Sequence, residues 1–78
     1  MIQLKVKSFG KIAEIVGDNV IISLENNTVG DLKNHLENTY IELEKFPFVI
    51  AIDRKIVSND TVLNNDSEIA LLPPFSGG

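Results

Sequence analysis

The chain has 78 residues, a formal net charge of −4 and no cysteine. This length predicts one domain with a modest core, because so short a chain buries only about 60–65% of its unfolded surface. The lack of cysteine excludes disulfides and thiolate metal sites. The negative charge argues against nucleic acid or a membrane surface as the main partner, since both require clustered lysine and arginine.

The N-terminal residues alternate between apolar and charged types and contain no continuous apolar segment typical of a signal peptide. No later segment has enough consecutive apolar residues to span a bilayer. We therefore expect a soluble, cytoplasmic protein.

The first part of the chain predicts a strand, a short helix and a second strand. Alternation of apolar and polar residues over residues 2–7 has the period of a half-buried strand. Apolar residues at helical spacing over residues 12–16 predict a short helix, which ends at the Gly-Asp-Asn of residues 17–19. The β-branched segment 20–24 predicts the second strand.

The longest predicted helix begins at Thr28. Its hydroxyl can cap the first turn, and Asp31 three residues later favours the positive end of the helix dipole. The helix ends before Pro47, because the residue before a proline avoids the helical conformation. The predicted apolar stripe consists of Val29, Leu32, Leu36 and either Tyr40 or Leu43.

The remaining segments predict three more strands. Residues 48–52 are apolar on both faces, which indicates a covered strand near the centre of the sheet. A tight turn at residues 53–54 leads to a short strand at 55–57, and the last strand covers 67–72 before Pro73 ends it. Five strands and one long helix predict an α+β fold, with a mixed sheet packed on that helix.

Conventional catalytic residues are scarce. The single histidine, His35, lies inside the long helix, where the neighbouring Glu37 points to another face, so we interpret it as a solvated helix residue. Asp60, Asp66 and Glu68 lack the spacing of a calcium loop and are typical of turns. No phosphate-binding glycine loop or nucleophile elbow is present.

The sequence ends Pro73-Pro74-Phe75-Ser76-Gly77-Gly78. Two prolines hold a chain extended, and glycine allows a narrow channel to close around its backbone. We therefore interpret this segment as a probe whose functional group is the α-carboxylate of Gly78, although a frayed end is the ordinary alternative.

Four segments together resemble the small subunits of molybdopterin synthase, the sulfur carriers of molybdenum cofactor biosynthesis in the MoaD/ThiS superfamily. These are FGKIAEIVG, TVGDLKNHL, AIDRKIVS and the closing EIALLPPFSGG. The resemblance covers essentially the whole chain, and Pro-Pro followed by two variable residues and Gly-Gly is its most specific part. It implies a ubiquitin-like β-grasp domain at residues 1–72 and an extended tail at 73–78.

The resemblance also implies a chemistry in which the small subunit supplies sulfur but no catalytic residue. The Gly78 carboxylate would be adenylylated with ATP by an activating enzyme of the ubiquitin type and converted to a thiocarboxylate with a sulfurtransferase. The sulfur would then pass to cyclic pyranopterin monophosphate inside the large synthase subunit, in a heterotetramer of two small and two large subunits. The chain itself would bind no cofactor and no metal.

By position, the resemblance implies a partner-binding surface of Phe9, Ile56 and Leu72, and insertion of residues 73–77 into the partner's active site. The pattern of the first strand supports an exposed Phe9, because the odd positions of that strand face outward. Either Leu71 or Leu72 should face outward. Core positions are the alternative for all three surface residues, and for Ile56 the two interpretations are equally supported. Phe75 is bulkier than the small aliphatic residue expected there.

Three alternatives remain open. The thiazole sulfur carrier of thiamine synthesis shares the fold and the activation chemistry, but it usually lacks the first short helix and the Pro-Pro pair. A ubiquitin-like modifier would join Gly78 to lysines of target proteins. A β-grasp interaction module with an inert tail is the simplest alternative.

Overall fold

The computed structural model describes residues 2–74, which form a mixed five-stranded sheet in the order β2-β1-β5-β3-β4. The strands β1 and β5 are parallel neighbours, and the other neighbouring pairs are antiparallel. This arrangement confirms the predicted α+β class with five strands and one main helix. The elements are β1 (Ile2–Ser8), α1 (Gly10–Val16), β2 (Asn19–Leu24), α2 (Val29–Thr39), a 3-10 helix (Ile41–Glu44), β3 (Val49–Ile52), β4 (Lys55–Ile56) and β5 (Ile69–Leu72).

One face of the sheet packs on α2 and forms the core. In β1 the even residues Leu4 and Val6 are fully buried, whereas the odd residues are exposed, as the alternating pattern predicted. Both Leu32 and Leu36 of α2 have no exposed surface. Burial of this apolar face is the main term that stabilises the domain.

The start of α2 is a capping box. The Thr28 hydroxyl accepts a hydrogen bond from the Asp31 backbone N–H at 3.2 Å, and the Asp31 carboxylate accepts one from the Thr28 N–H at 3.2 Å. The predicted cap is therefore confirmed. After Thr39 the chain tightens into the 3-10 helix, which brings Leu43 into the core before Pro47.

One prediction about the later strands is confirmed and another was wrong. Residues 48–52 contain β3, which is largely buried and lies between β4 and the central strand β5, as expected of a covered strand near the centre of the sheet. The last strand begins at Ile69 rather than at residue 67. The Glu68 N–H bonds to the carboxylate of Asp53 at 3.0 Å instead of to a neighbouring backbone carbonyl. The strand β5 therefore begins at the next residue, Ile69.

The hairpin between β3 and β4 contains two non-glycine residues with positive φ, Asp53 at 50° and Arg54 at 72°. Two residues in the left-handed region are the signature of a type I′ turn, whose twist matches that of the paired strands. Aspartate tolerates this conformation, but the Cβ of arginine crowds the following carbonyl. The turn is therefore strained at Arg54.

Replacing Arg54 by glycine should relieve this strain and raise the free energy of unfolding by about 1 kcal/mol. Urea unfolding monitored by circular dichroism measures the change. The matched control is Arg54→Ala, which removes the charge but keeps the Cβ. Equal stabilisation by both variants would assign the effect to charge rather than to backbone conformation.

Candidate functional site

The ionisable side chains within residues 2–74 do not gather into a metal site. No group of three or more His, Asp or Glu residues in this part of the chain could hold a metal ion. His35 is half-buried on α2, and Asp66 lies in a turn where its N–H bonds to the Asn64 side chain at 3.0 Å. Among the same residues, no helix is both long and apolar enough to cross a membrane.

Exposed apolar side chains instead gather at one end of the outer sheet face. Phe9 directly follows β1 in an extended conformation, with φ −132° and ψ 155°, and its N–H bonds to the Leu71 carbonyl at 3.1 Å. Its side chain is 47% exposed, so the predicted exposure of Phe9 is confirmed. In β5, Leu71 is fully buried and Leu72 is half-buried, so Leu72 is the leucine that faces outward.

Strand pairing connects Leu72 to Ile56 across the sheet. Paired residues of neighbouring strands project from the same face, and the pairs Leu72–Val49, Ala70–Ala51 and Ala51–Ile56 run from β5 to β4. Ile56 is 69% exposed, so its core alternative is wrong. The strands of Leu72 and Ile56 are two spacings, about 10 Å, apart. We call this patch the outer apolar surface; its members are Phe9, Val49, Ala51, Ile56, Ala70 and Leu72.

Sequence reasoning missed the middle of this surface. Ala51 is only 4% exposed although it shares the outer face, because it lies between Ile56 and Ala70. Alternation along the last strand was the available signal, because it places Ala70 on the same face of the sheet as Leu72. The pairing of Ala70 with Ala51 depends on strand order, which the local pattern does not contain.

The tail begins at the edge of the outer apolar surface. Pro73 follows Leu72 directly and lies against the first turn of α1, where a Cβ added to Gly10 would approach the Pro73 Cγ to 3.1 Å. Gly10 also has a φ of +59°, so glycine is favoured there by both conformation and space. Pro74 is exposed. The predicted tail residues Phe75, Ser76, Gly77 and Gly78 lie outside the described residues.

Comparison with known proteins assigns the family. The model of the ThiS family matches residues 6–78. The chain belongs to the ThiS family. Two relatives, both called molybdopterin synthase sulfur carrier subunit, match it nearly end to end. The one from Dictyostelium discoideum is 31% identical, covering 97% of this chain and 96% of the relative, and the one from Escherichia coli K12 is 30% identical, covering 96% and 99%.

Solved structures agree with the β-grasp fold that the sequence implied. A putative molybdopterin converting factor subunit 1 from Pyrococcus furiosus has a TM-score of 0.84 at 23% identity, covering 95% of this chain and 99% of the other. The small archaeal modifier protein 1 from Methanosarcina acetivorans scores 0.77 at 27% identity, with 100% and 98% covered. A Helicobacter pylori complex of subunits 1 and 2 of molybdopterin-converting factor includes a chain scoring 0.71 at 28% identity, with 99% and 100% covered.

That Phe9, Ile56 and Leu72 contact a partner protein remains a prediction from the family resemblance. Phe9→Ala and Leu72→Ala should each weaken binding to the large synthase subunit by about 2 kcal/mol, because truncated apolar anchors at an interface centre cost this much. Their melting temperatures should change little, since both side chains are partly exposed. Calorimetric titration and thermal unfolding measure the two effects.

A matched control for this prediction is Ile41→Ala, which truncates a side chain that is 73% exposed on the 3-10 helix, outside the outer apolar surface. Its affinity should equal that of the unmodified protein. Large losses of melting temperature for Phe9→Ala and Leu72→Ala with unchanged affinity would instead identify them as core residues.

Proposed function

We propose that this protein is the sulfur carrier subunit of a molybdopterin synthase and carries sulfur on the carboxyl group of Gly78. The observation behind the proposal is that β5 ends within an exposed apolar surface and is followed directly by Pro73 and Pro74, the first residues of the Gly-Gly-ending segment. Membership of the ThiS family and the names of the two relatives support it.

The chemistry begins with activation of a poor electrophile. The Gly78 carboxylate attacks the α-phosphate of ATP on an activating enzyme, which forms an acyl-adenylate and releases pyrophosphate. A sulfide or persulfide sulfur then attacks the acyl carbon, and AMP leaves. Where a persulfide is the donor, reductive cleavage of its S–S bond by a thiol leaves the thiocarboxylate C(=O)S⁻. This soft nucleophile delivers sulfur to cyclic pyranopterin monophosphate, and two such transfers supply the dithiolene.

The partners supply what this chain lacks. The large synthase subunit positions the anionic pterin and stabilises developing charge, an arrangement consistent with the net charge of −4 on the carrier. The Helicobacter pylori complex of subunits 1 and 2 supports a large-subunit partner. We further propose a heterotetramer of two small and two large subunits, together with an adenylyltransferase of the ubiquitin-activating type and a sulfurtransferase.

A second candidate function is protein modification. The similarity to a small archaeal modifier protein, at 27% identity and a TM-score of 0.77, supports it specifically. Both functions share activation up to the acyl-adenylate and differ in the acceptor: sulfur in a carrier, a lysine amine in a modifier. The thiazole sulfur carrier differs from our proposal only in the final acceptor of the sulfur.

Adding one alanine after Gly78 should abolish sulfur transfer and leave the fold intact, because the reactive group is a carboxylate at a fixed position and terminal residues contribute little stability. Intact mass after incubation with ATP, an activating enzyme and a sulfide source measures thiocarboxylate on the unmodified chain. The extended chain should gain none. Untrimmed extended protein that still supports molybdopterin formation would refute the carrier mechanism, and isopeptide-linked products without thiocarboxylate would favour the modifier.

Pro74→Gly should weaken binding to the large subunit roughly fivefold, because a freed residue costs on the order of 1 kcal/mol to order in the complex. Pro74 is the informative position because it is exposed, whereas Pro73 also contacts the Gly10 region. Calorimetry gives the affinity, and Ser58→Gly at another exposed loop position is the control. Unchanged affinity of Pro74→Gly would mean that this proline has no role in extending the tail.

A further inference from the structure

The edge strand β2 leaves a row of backbone groups unpaired. The Ser8 N–H bonds to the Asp18 carbonyl at 3.0 Å, which fixes the alternation of the antiparallel β1–β2 ladder. Even residues of β2 therefore bond to β1, and the N–H and C=O groups of Asn19, Ile21 and Ser23 point away from the sheet. No other strand within residues 2–74 lies on that side of β2.

This edge lacks the usual protection against strand addition. The segment Asn19–Leu24 contains no charged residue, no proline and no glycine, and its register with β1 is continuous, without a bulge. Exposed edge strands usually carry a charge, a proline or a bulge, because their unpaired backbone groups are a template for another strand. Ile21, in the middle of the edge, is 68% exposed.

We propose that β2 pairs antiparallel with β2 of a second copy of this chain, around a two-fold axis at Ile21. Ile21 then lies opposite Ile21 of the other copy, and Asn19 lies opposite Ser23. The three outward-facing residues of each copy complete their N–H and C=O bonds across the axis. On the inner face, Val20 lies opposite Ile22, which gives the dimer apolar contact on both faces of the joined sheet.

The charges behind the edge are compatible with a second copy. Along the outer face, Lys5 is paired with Ile21, Lys7 with Asn19 and Gln3 with Ser23. The two-fold axis therefore places Lys7 in line with Gln3 of the other copy. The two Lys5 residues are three strand spacings apart, about 14 Å, which exceeds the screening length of about 8 Å at physiological salt. The pairing thus opposes no like charges directly.

Dimerisation through β2 leaves the outer apolar surface accessible. Phe9, the member of that surface nearest to β2, follows β1 beyond the Lys7–Asn19 pair that ends the β1–β2 ladder, and the other members begin at β5, two strands in and about 10 Å away. Each copy therefore keeps this surface accessible, and the proposal stands independently of the sulfur-carrier function.

Cross-linking tests both the interface and its register, because the chain contains no cysteine. In the proposed dimer the Ile21 Cα atoms are about 5.5 Å apart, within disulfide range. Ile21→Cys should therefore form a disulfide-linked dimer in a glutathione redox buffer roughly tenfold faster than Ile41→Cys, a control of similar exposure, because pairing raises the effective concentration. Asn19→Cys mixed with Ser23→Cys should cross-link faster than either variant alone.

Sedimentation equilibrium of the cysteine-free protein gives an independent measurement. We expect a concentration-dependent dimer that Ile21→Lys abolishes, since it opposes like charges at the axis, and that Ile41→Lys preserves. A monomer up to millimolar concentration, equal cross-linking of Ile21→Cys and Ile41→Cys, or a dimer that survives Ile21→Lys would each overturn the proposal.

Discussion

The parallel pairing of the first and last strands determines the rest of this structure. Ser8 of β1 is paired with Leu71 of β5, and the Phe9 N–H extends the ladder by one bond to the Leu71 carbonyl. Parallel neighbours cannot be joined by a tight turn, so the intervening chain must cross over the sheet. Because both strands run in one direction, Phe9 and the start of the tail come together at the same end.

The helix α1, which follows β1, packs beside the first residue after β5. The short helix α1 begins at Gly10, beside Pro73, and Lys11 in its first turn lies 5.1 Å from the ring centroid of Phe46. Such a cation–π contact at a partly exposed site contributes about 0.5–1 kcal/mol and links α1 to the segment after the 3-10 helix. Phe9 lies between β1 and α1, so the backbone is fixed by a strand before it and by a helix after it. This order suits the proposed role of Phe9 as an apolar anchor.

Local patterns predicted the elements well and their arrangement poorly. The capping box was predictable because Thr28 and Asp31 are only three residues apart. The exposure of Phe9 was predictable because it follows from the alternation of a single strand. The apolar residues on both faces of β3 correctly indicated a covered strand near the centre, but they did not show which strands flank it. Its neighbours β4 and β5 bring Ile56 and Leu72 to its outer face.

The position of β2 illustrates the same limit. A β-branched segment predicts a strand, but only the non-local pairing of β1 with β5 leaves β2 at the edge and turns Ile21 to solvent. Phe9, Ile56 and Leu72 likewise come from three segments that meet only through strand order. The local pattern placed Phe9 outward, and the family resemblance assigned all three to one surface before the sheet explained why they are neighbours.

The proposed use of the last six residues as a probe places a limit on the partner's geometry. Six residues from Pro73 to Gly78 can span at most about 20 Å. Under the proposed function, with Leu72 held at the interface, the partner's reaction centre would have to lie within that distance of its Leu72 site, and its channel would have to be narrow at the glycines and wider at Phe75. The proposed activating enzyme and synthase subunit would both have to satisfy this distance, because both would use the same six residues after Leu72. A single surface can therefore serve successive partners only if they bind one at a time.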